Sequence, residues 1–240
     1  KKYRETPDPK SPNIVLLSPS GSEHPFYAEL GFVPAPGQQV AVPGPDAVWT
    51  ADGRKLTATT PVTLSWENGQ GLKFLRRISV DNDYLFTIVD TVENTGANAV
   101  ALHPFSLVAR HGRPTLQGYA VLHEGLIGVV GDSGIQEWAY DKIEKETGAQ
   151  KKFKGTGGWV GFTDKYWAAV VAPDQTKPFD ATLSASPGTV AAKNYQADFV
   201  GEATSIAPGA KVESKTYVFA GAKVSELLDR YQANPGLSKF

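Results

Sequence analysis

The chain has 240 residues, with 24 basic against 25 acidic side chains and a net charge of −1. That balance excludes the strongly basic face expected of a nucleic-acid binder, and the absence of cysteine excludes disulfide frameworks and thiolate chemistry. No apolar run approaches the ~20 residues needed to span a bilayer, and at this length roughly 70–75% of the unfolded surface can be buried, so a core needs no staples.

Residues 1–12 are polar, with Pro7, Pro9 and Pro12, and are expected to be a linker or tail with little core contact. Ile14–Leu17 and Phe26–Val33 are strand candidates, and Pro34–Pro45, with four prolines and two glycines, is a long loop with room for one edge strand. Two hairpins are then predicted. Val48–Ala51 turns through Asp52-Gly53 into Leu56–Thr60, and Val62–Trp66 turns through Asn68–Gly71 into Leu72–Val80. Tyr84–Glu93 and Val100–Ala109 extend them into an antiparallel meander with turns every ten or so residues. Glu124–Val130 is a strand candidate. Ile135–Glu146 fits both a helix and an edge strand, and Lys142–Lys154, with both signs of charge, reads as solvated surface.

The densest apolar stretch runs from Gly157 to Pro173. It predicts two strands, Trp159–Phe162 and Tyr166–Ala172, around the turn Thr163-Asp164-Lys165, with Trp159, Phe162, Tyr166 and Trp167 as a core hairpin. A run apolar at odd and even positions alike predicts strands buried on both faces. Phe179–Ser184, Val190–Phe199 and Val212–Ala220 follow as strands. Val224, Leu227, Leu228 and Tyr231 recur at i, i+3, i+4 and i+7, one face of an amphipathic helix that Asn234-Pro235-Gly236 ends. One all-β, mainly antiparallel domain over residues 13–222 is expected, with the helix and the approach to whatever follows over 223–240.

No catalytic constellation emerges. Gly131-Asp132-Ser133-Gly134-Ile135 mimics the nucleophile segment of trypsin-like proteases, but Ile135 replaces the second glycine and no histidine has the context of a base, so a polar turn is predicted. His24, His103, His111 and His123 show no metal-ligand spacing. Asp81-Asn82-Asp83 begins like a calcium loop, yet Phe86 and Val92 stand where glycine and glutamate are needed. Gly155–Gly158 leads into a strand, which leaves no helix N-terminus for a phosphate. No catalytic residue, cofactor or metal is expected. Trp49, Trp66 and Trp138 are candidates for stacking on a sugar or peptide.

Gly157–Pro173, together with His24–Phe32, Leu85–Ile88 and Val92–Gly96, resembles the large periplasmic domain of the YidC membrane-protein insertases. The resemblance covers nearly the whole chain and implies a β-supersandwich with a C-terminal helix, on the periplasmic side of a Gram-negative inner membrane. Tyr231–Phe240 then looks like the approach to the next transmembrane segment, and the absence of methionine, even at the first position, fits an excised piece. Insertase activity belongs to membrane-embedded parts of that family, so the implied role is interaction, with SecDF of the Sec translocon and substrate membrane proteins or peptides as partners. The implied fold is shared with aldose mutarotases. A carbohydrate-binding or epimerase reading therefore stands beside the first, with His103 and His111 and either Glu93 or Glu124 as its crude candidates.

Overall fold

The computed structural model describes residues 3–4, 8–114, 123–188 and 193–240. In chain order the strands are β1 Phe26–Pro34, β2 Thr50–Ala51, β3 Val62–Glu67, β4 Leu72–Val80, β5 Leu85–Asn94, β6 Val100–His111 and β7 Gly125–Val130. β8 Ile135–Ala139 leads into helix α1 Tyr140–Lys145, followed by β9 Gln150–Thr156, β10 Gly158–Thr163 and β11 Trp167–Pro173. β12 Pro178–Pro187, β13 Lys193–Gly201, β14 Thr204–Ile206, β15 Lys211–Ala222 and helix α2 Ser225–Ala233 complete the order. Two antiparallel sheets result. One has nine strands in the order β2-β3-β4-β5-β15-β11-β10-β7-β8, and the other runs β1-β6-β13-β12-β9 with β14 beside β6. The expected antiparallel sandwich with a C-terminal helix is the fold observed.

β10 and β11 sit inside the larger sheet and are buried on both faces, as their composition predicts. Val160, Phe162, Ala169 and Val171 point inward, against Phe179, Leu183, Tyr195, Ala197 and Phe199 of the smaller sheet. Trp159, Val170 and Ala172 point outward, into a separate cluster. The two strands approach so closely that a Cβ on Gly161 would fall 2.1 Å from the Ala169 carbonyl oxygen. Each large side chain buried here stabilises the fold by roughly 1.5–3 kcal/mol.

The predicted meander holds from β3 to β5 and then breaks, because β6 crosses to the smaller sheet. Asn94 makes the corner. It is 2% exposed, its Nδ2 donates to the carbonyls of Asn98 at 2.8 Å and Ile206 at 2.9 Å, and its Oδ1 accepts from Gly96 N at 3.0 Å. A buried amide satisfied on three sides fixes the crossing, whereas Asn-Thr-Gly in sequence reads as a simple hairpin turn.

Three local expectations are corrected. The run Leu56–Thr60 is not a strand; β2 pairs instead with β3, and Asp52 Oδ1 accepts from Thr63 N at 2.7 Å, so Asp52 locks the later partner rather than turning a tight hairpin. Ile14–Leu17 lies between two isolated bridges, Arg4–Asn13 and Ser18–Phe26, and forms no strand. Lys142–Lys154 is not only solvated surface: its second half is β9, an edge strand on which the exposed Lys152 and Lys154 alternate with the inward Phe153, while Lys151 shares the half-buried face. Outward lysines suit an edge that must not pair with other chains. Ile135–Glu146 is strand and helix in succession, β8 then α1. Part of the predicted strand Val190–Phe199 falls outside the described residues.

The larger sheet is wider than the smaller. β1, the smaller sheet's edge, lies over β4, with Phe32 and Phe74 rings 5.6 Å apart and Arg76 Nη2 donating to the Leu30 carbonyl at 3.1 Å. β3 and β2 extend past it. Trp66 of β3, Trp49 just before β2, and Val40 and Val42 of the loop between β1 and β2 all pack against the same buried cluster around Phe32 and Phe74.

Candidate functional site: the carboxy-terminal clasp

The outer face of the larger sheet presents Leu85, Val129, Trp159, Val170, Ala172 and Phe219, too much apolar surface to leave in water. α2 covers it. Leu227 and Tyr231 are buried against this patch and Leu228 packs at its margin. Val224 departs from the predicted stripe, being 46% exposed. The helix starts one residue later, and the Val224 carbonyl accepts from Leu227 N at 2.9 Å and Leu228 N at 3.0 Å, so this residue caps the first turn from outside the apolar face.

The chain then folds back. The helix ends at Asn234, whose backbone is extended and whose N–H donates to the Arg230 carbonyl. Beyond it Gly236 N and Leu237 N donate to the Tyr231 carbonyl at 3.2 and 3.0 Å, with Gly236 at φ +89° making the left-handed step that turns the chain back. Leu237, 1% exposed, drops into the patch beside Leu227. Phe240 meets Trp159 and Phe219 edge-on, at centroid distances of 5.3 and 5.4 Å. Trp159 Nε1 donates to the Ser238 carbonyl at 3.0 Å. The indole of the core hairpin therefore holds the last residues by its polar tip and its ring at once.

Two carboxylates pin the helix from the far side. Tyr231 Oη donates to Asp81 Oδ2 at 2.5 Å and Arg230 Nη2 donates to Asp83 Oδ2 at 2.7 Å. Asp81 is itself held, its Oδ1 accepting from Asp83 N at 2.8 Å and Leu85 N at 3.0 Å. Burial and the adjacent Asp81 carboxylate push the Tyr231 phenol well above its ordinary range. Asp81-Asn82-Asp83 is thus a turn, as predicted. What it does for α2 has no signal in the sequence, since an Asx turn looks the same whichever way its free oxygen faces.

The remaining predicted residues fall elsewhere. Phe162 is fully buried, but Tyr166 lies in the turn before β11 and is 60% exposed, with the Lys165 ammonium 5.1 Å from its ring centroid. Its expected core place is corrected: the backbone, not the ring, makes its contact, as its carbonyl accepts from Lys223 N at 2.9 Å. Trp167 is half-buried and meets Tyr3 edge-on at 5.0 Å, so the amino-terminal arm touches the same hairpin. Gly131–Ser133 is one short 3-10 turn, in accord with the polar-turn reading.

His103 and His111 lie eight residues apart on β6, while Glu93 is on β5 of the other sheet and Glu124 precedes β7. His103 Nδ1 is 2.9 Å from the Gly201 carbonyl, and Glu124 Oε1 accepts from Lys165 N at 2.9 Å. The structure does not bring these four together. Among the described residues no group of three or more His, Asp and Glu could hold a metal ion.

A buried polar centre that sequence reasoning missed links the sheets. Arg110, 8% exposed, makes paired 2.7 Å bonds to both Asp164 oxygens and a third to Tyr140 Oη, with its guanidinium 3.7 Å from the Phe26 ring centroid. Burial would lower the Arg110 pKa, but Asp164 and Tyr140 together outweigh it and the net direction is up. Burial pushes Tyr140 up to about 12. This arrangement has the bonds of a structural ion pair, satisfied on both partners, rather than of a reactive site.

A family model described as the YidC periplasmic domain matches residues 1–240. The chain is 54% identical over its whole length to the membrane protein insertase YidC of Beijerinckia indica, and 50% identical to that of Methylobacterium nodulans, covering 39% and 40% of those proteins. It therefore spans about 40% of the length of the curated relatives it matches. Among solved structures, the alpha-galactosidase of Lactobacillus brevis aligns with a TM-score of 0.49 at 10% identity, over 93% of this chain and 29% of that one.

Proposed function

The chain belongs to the YidC periplasmic domain family, and on that premise we propose that it is a non-catalytic interaction domain of an inner-membrane insertase, acting on the periplasmic side. The clasp is its mechanical element. Residues 224–240 are locked to the larger sheet by two buried aliphatic side chains, an aromatic cluster and three side-chain hydrogen bonds. In a full-length protein, a segment leaving that clasp toward the membrane inherits a fixed direction. SecDF, or another periplasmic part of the Sec machinery, then engages the domain's free surfaces while the membrane-embedded part inserts the client.

The observation that carries this reading is the burial of Leu227, Tyr231 and Leu237 together with the Trp159–Ser238 hydrogen bond. Leu227→Gln with Leu228→Gln in a full-length insertase, supplied as the sole copy, tests it. Insertion of a dependent reporter should fall several-fold at unchanged membrane levels, and wild-type growth and insertion would sink the coupling. Binding is tested separately by NMR titration of the labelled chain with purified SecDF periplasmic domains, with a sugar panel in parallel. Localised shifts with SecDF alone support an interaction module, and shifts with a sugar alone would replace it with the carbohydrate reading.

A further inference from the structure

The loop between β1 and β2 crosses the overhang of the larger sheet in an unusual way. Val40 and Val42 are half-buried against the cluster that holds Trp49, Trp66 and Phe74, while Ala41 between them is exposed. This is the alternation of an extended strand. Yet no ladder accompanies it. Among the described residues, the only hydrogen bond reaching residues 39–43 is an exposed one, from Asn68 Nδ2 to the Ala41 carbonyl at 3.1 Å. The nearest others are local turns at the two ends, Gln38 N to the Ala35 carbonyl and Ala47 N to the Gly44 carbonyl, each 3.0 Å. Pro36, Pro43 and Pro45 remove three of the donors that pairing would need. The strap is seated by its side chains and this one exposed bond.

The seat beneath it is rigid by contrast. Arg76 Nε bonds Asp90 Oδ1 at 2.7 Å and its Nη2 reaches both Asp90 Oδ2 and the Leu30 carbonyl, with the guanidinium 5.5 Å from the Trp49 ring centroid. Trp66 and Phe74 meet at 5.6 Å, and Phe74 is 1% exposed. A fixed aromatic wall thus faces a segment that no backbone ladder retains.

We propose that this overhang is a docking groove for an extended aliphatic segment of a client polypeptide, and that residues 36–47 are its resident occupant, displaced when a client binds. The seated strap defines the ligand chemistry: β-branched side chains at i and i+2, an exposed residue between them, and proline on the flanks. Segments of that kind are extended before they dock and lose little conformational freedom in docking. The insertase reading supplies only the source of such clients, so binding in this groove can fail while the clasp still couples, and the reverse.

Val40→Asp with Val42→Asp unseats the strap without shortening the chain. Two peptides are titrated into the wild-type chain and this variant: residues 36–45 themselves, and an unrelated Pro-Ser-Thr-Thr-Ile-Ser-Ile-Pro-Ser-Pro. The indole N–H signals of Trp49 and Trp66 report the groove, and those of Trp138, Trp159 and Trp167 report the fold. The expected result is that both peptides bind the variant at least tenfold more tightly than the wild type and move only Trp49 and Trp66. Binding of the strap peptide alone would mean a seat for one sequence and would overturn the proposal. So would silence from both peptides at millimolar concentration with the three control indoles in place. Should the double substitution disturb those controls, Asn68→Ala with Val42→Ser loosens the strap more gently, and the same outcomes decide.

Discussion

The Tyr231 hydroxyl donates a 2.5 Å hydrogen bond to Asp81 Oδ2 across 150 residues of sequence, joining the last helix to the turn that opens β5. Removing the hydroxyl while keeping the ring isolates that bond. Tyr231→Phe should destabilise the chain by about 1–2 kcal/mol, the scale of a partly buried bond to a charged acceptor. For a domain of this size that lowers Tm by roughly 2–8 °C, measurable by calorimetry. An unchanged Tm would mean the bond exchanges freely with water.

Packing under the clasp is expected to outweigh its polar anchors. Leu237 is 1% exposed, whereas Leu228 lies at the margin of the patch. Leu237→Ala should cost about 2–4 kcal/mol and Leu228→Ala under ~1.5 kcal/mol. Denaturant titration compares them, and equal costs would contradict the burial described.

The centre between the sheets should behave as a buried pair rather than as a set of independent contacts. Arg110→Ala leaves Asp164 and Tyr140 facing each other without their cation, a loss of about 3–5 kcal/mol. Arg110→Met with Asp164→Leu removes both charges and should cost clearly less than the sum of the two single changes. Additive costs in a double-mutant cycle would show that the two side chains do not interact.

Alkaline pH should weaken the fold through its tyrosines. Burial pushes Tyr140 up to about 12, burial with the Glu144 hydrogen bond pushes Tyr195 up to about 12, and Tyr231 is raised as well. An unfolded chain ionises these phenols near pH ~10, so above that pH it binds fewer protons than the folded chain and stability falls as pH rises. Their contribution is fully present below pH ~10 and drains away between ~10 and ~12. Absorbance at ~295 nm should show at least these three of the nine tyrosines resisting ionisation until the chain unfolds. All nine titrating together near pH ~10 in folded protein would contradict it.

Much of the fold was legible because local chemistry and tertiary place agree. Gly157–Pro173 is predominantly apolar and its two strands are buried on both faces, and Asn68–Gly71 turns β3 into β4 as its composition says. The misses share one physical cause, that a side chain's partner decides its role. Asn94 reads as a turn residue until Ile206 supplies the carbonyl that makes it a corner between sheets. Lys152 and Lys154 read as solvated charge because edge strands carry lysine for protection, whereas Lys151 lies over the Trp138 ring and pairs with Glu146. At the site, the i, i+3, i+4, i+7 stripe located the helix to within one residue, with Val224 falling outside it. It could not reveal Leu237 and Phe240, which join the same cluster after the chain has left helical spacing.

Coupling through the clasp requires that α2 and the residues after it stay fixed on the larger sheet when the rest of the protein is present. The chain has no cysteine, so Lys211→Cys with Asp229→Cys, both at exposed positions, gives a unique pair within it for spin labels in a full-length insertase in lipid. Pulsed dipolar spectroscopy should return one narrow distance distribution that broadens when Leu227→Gln and Leu237→Gln are added. A broad distribution in the parent protein, unchanged by those substitutions, would mean the clasp is not closed in the membrane and the coupling account is wrong.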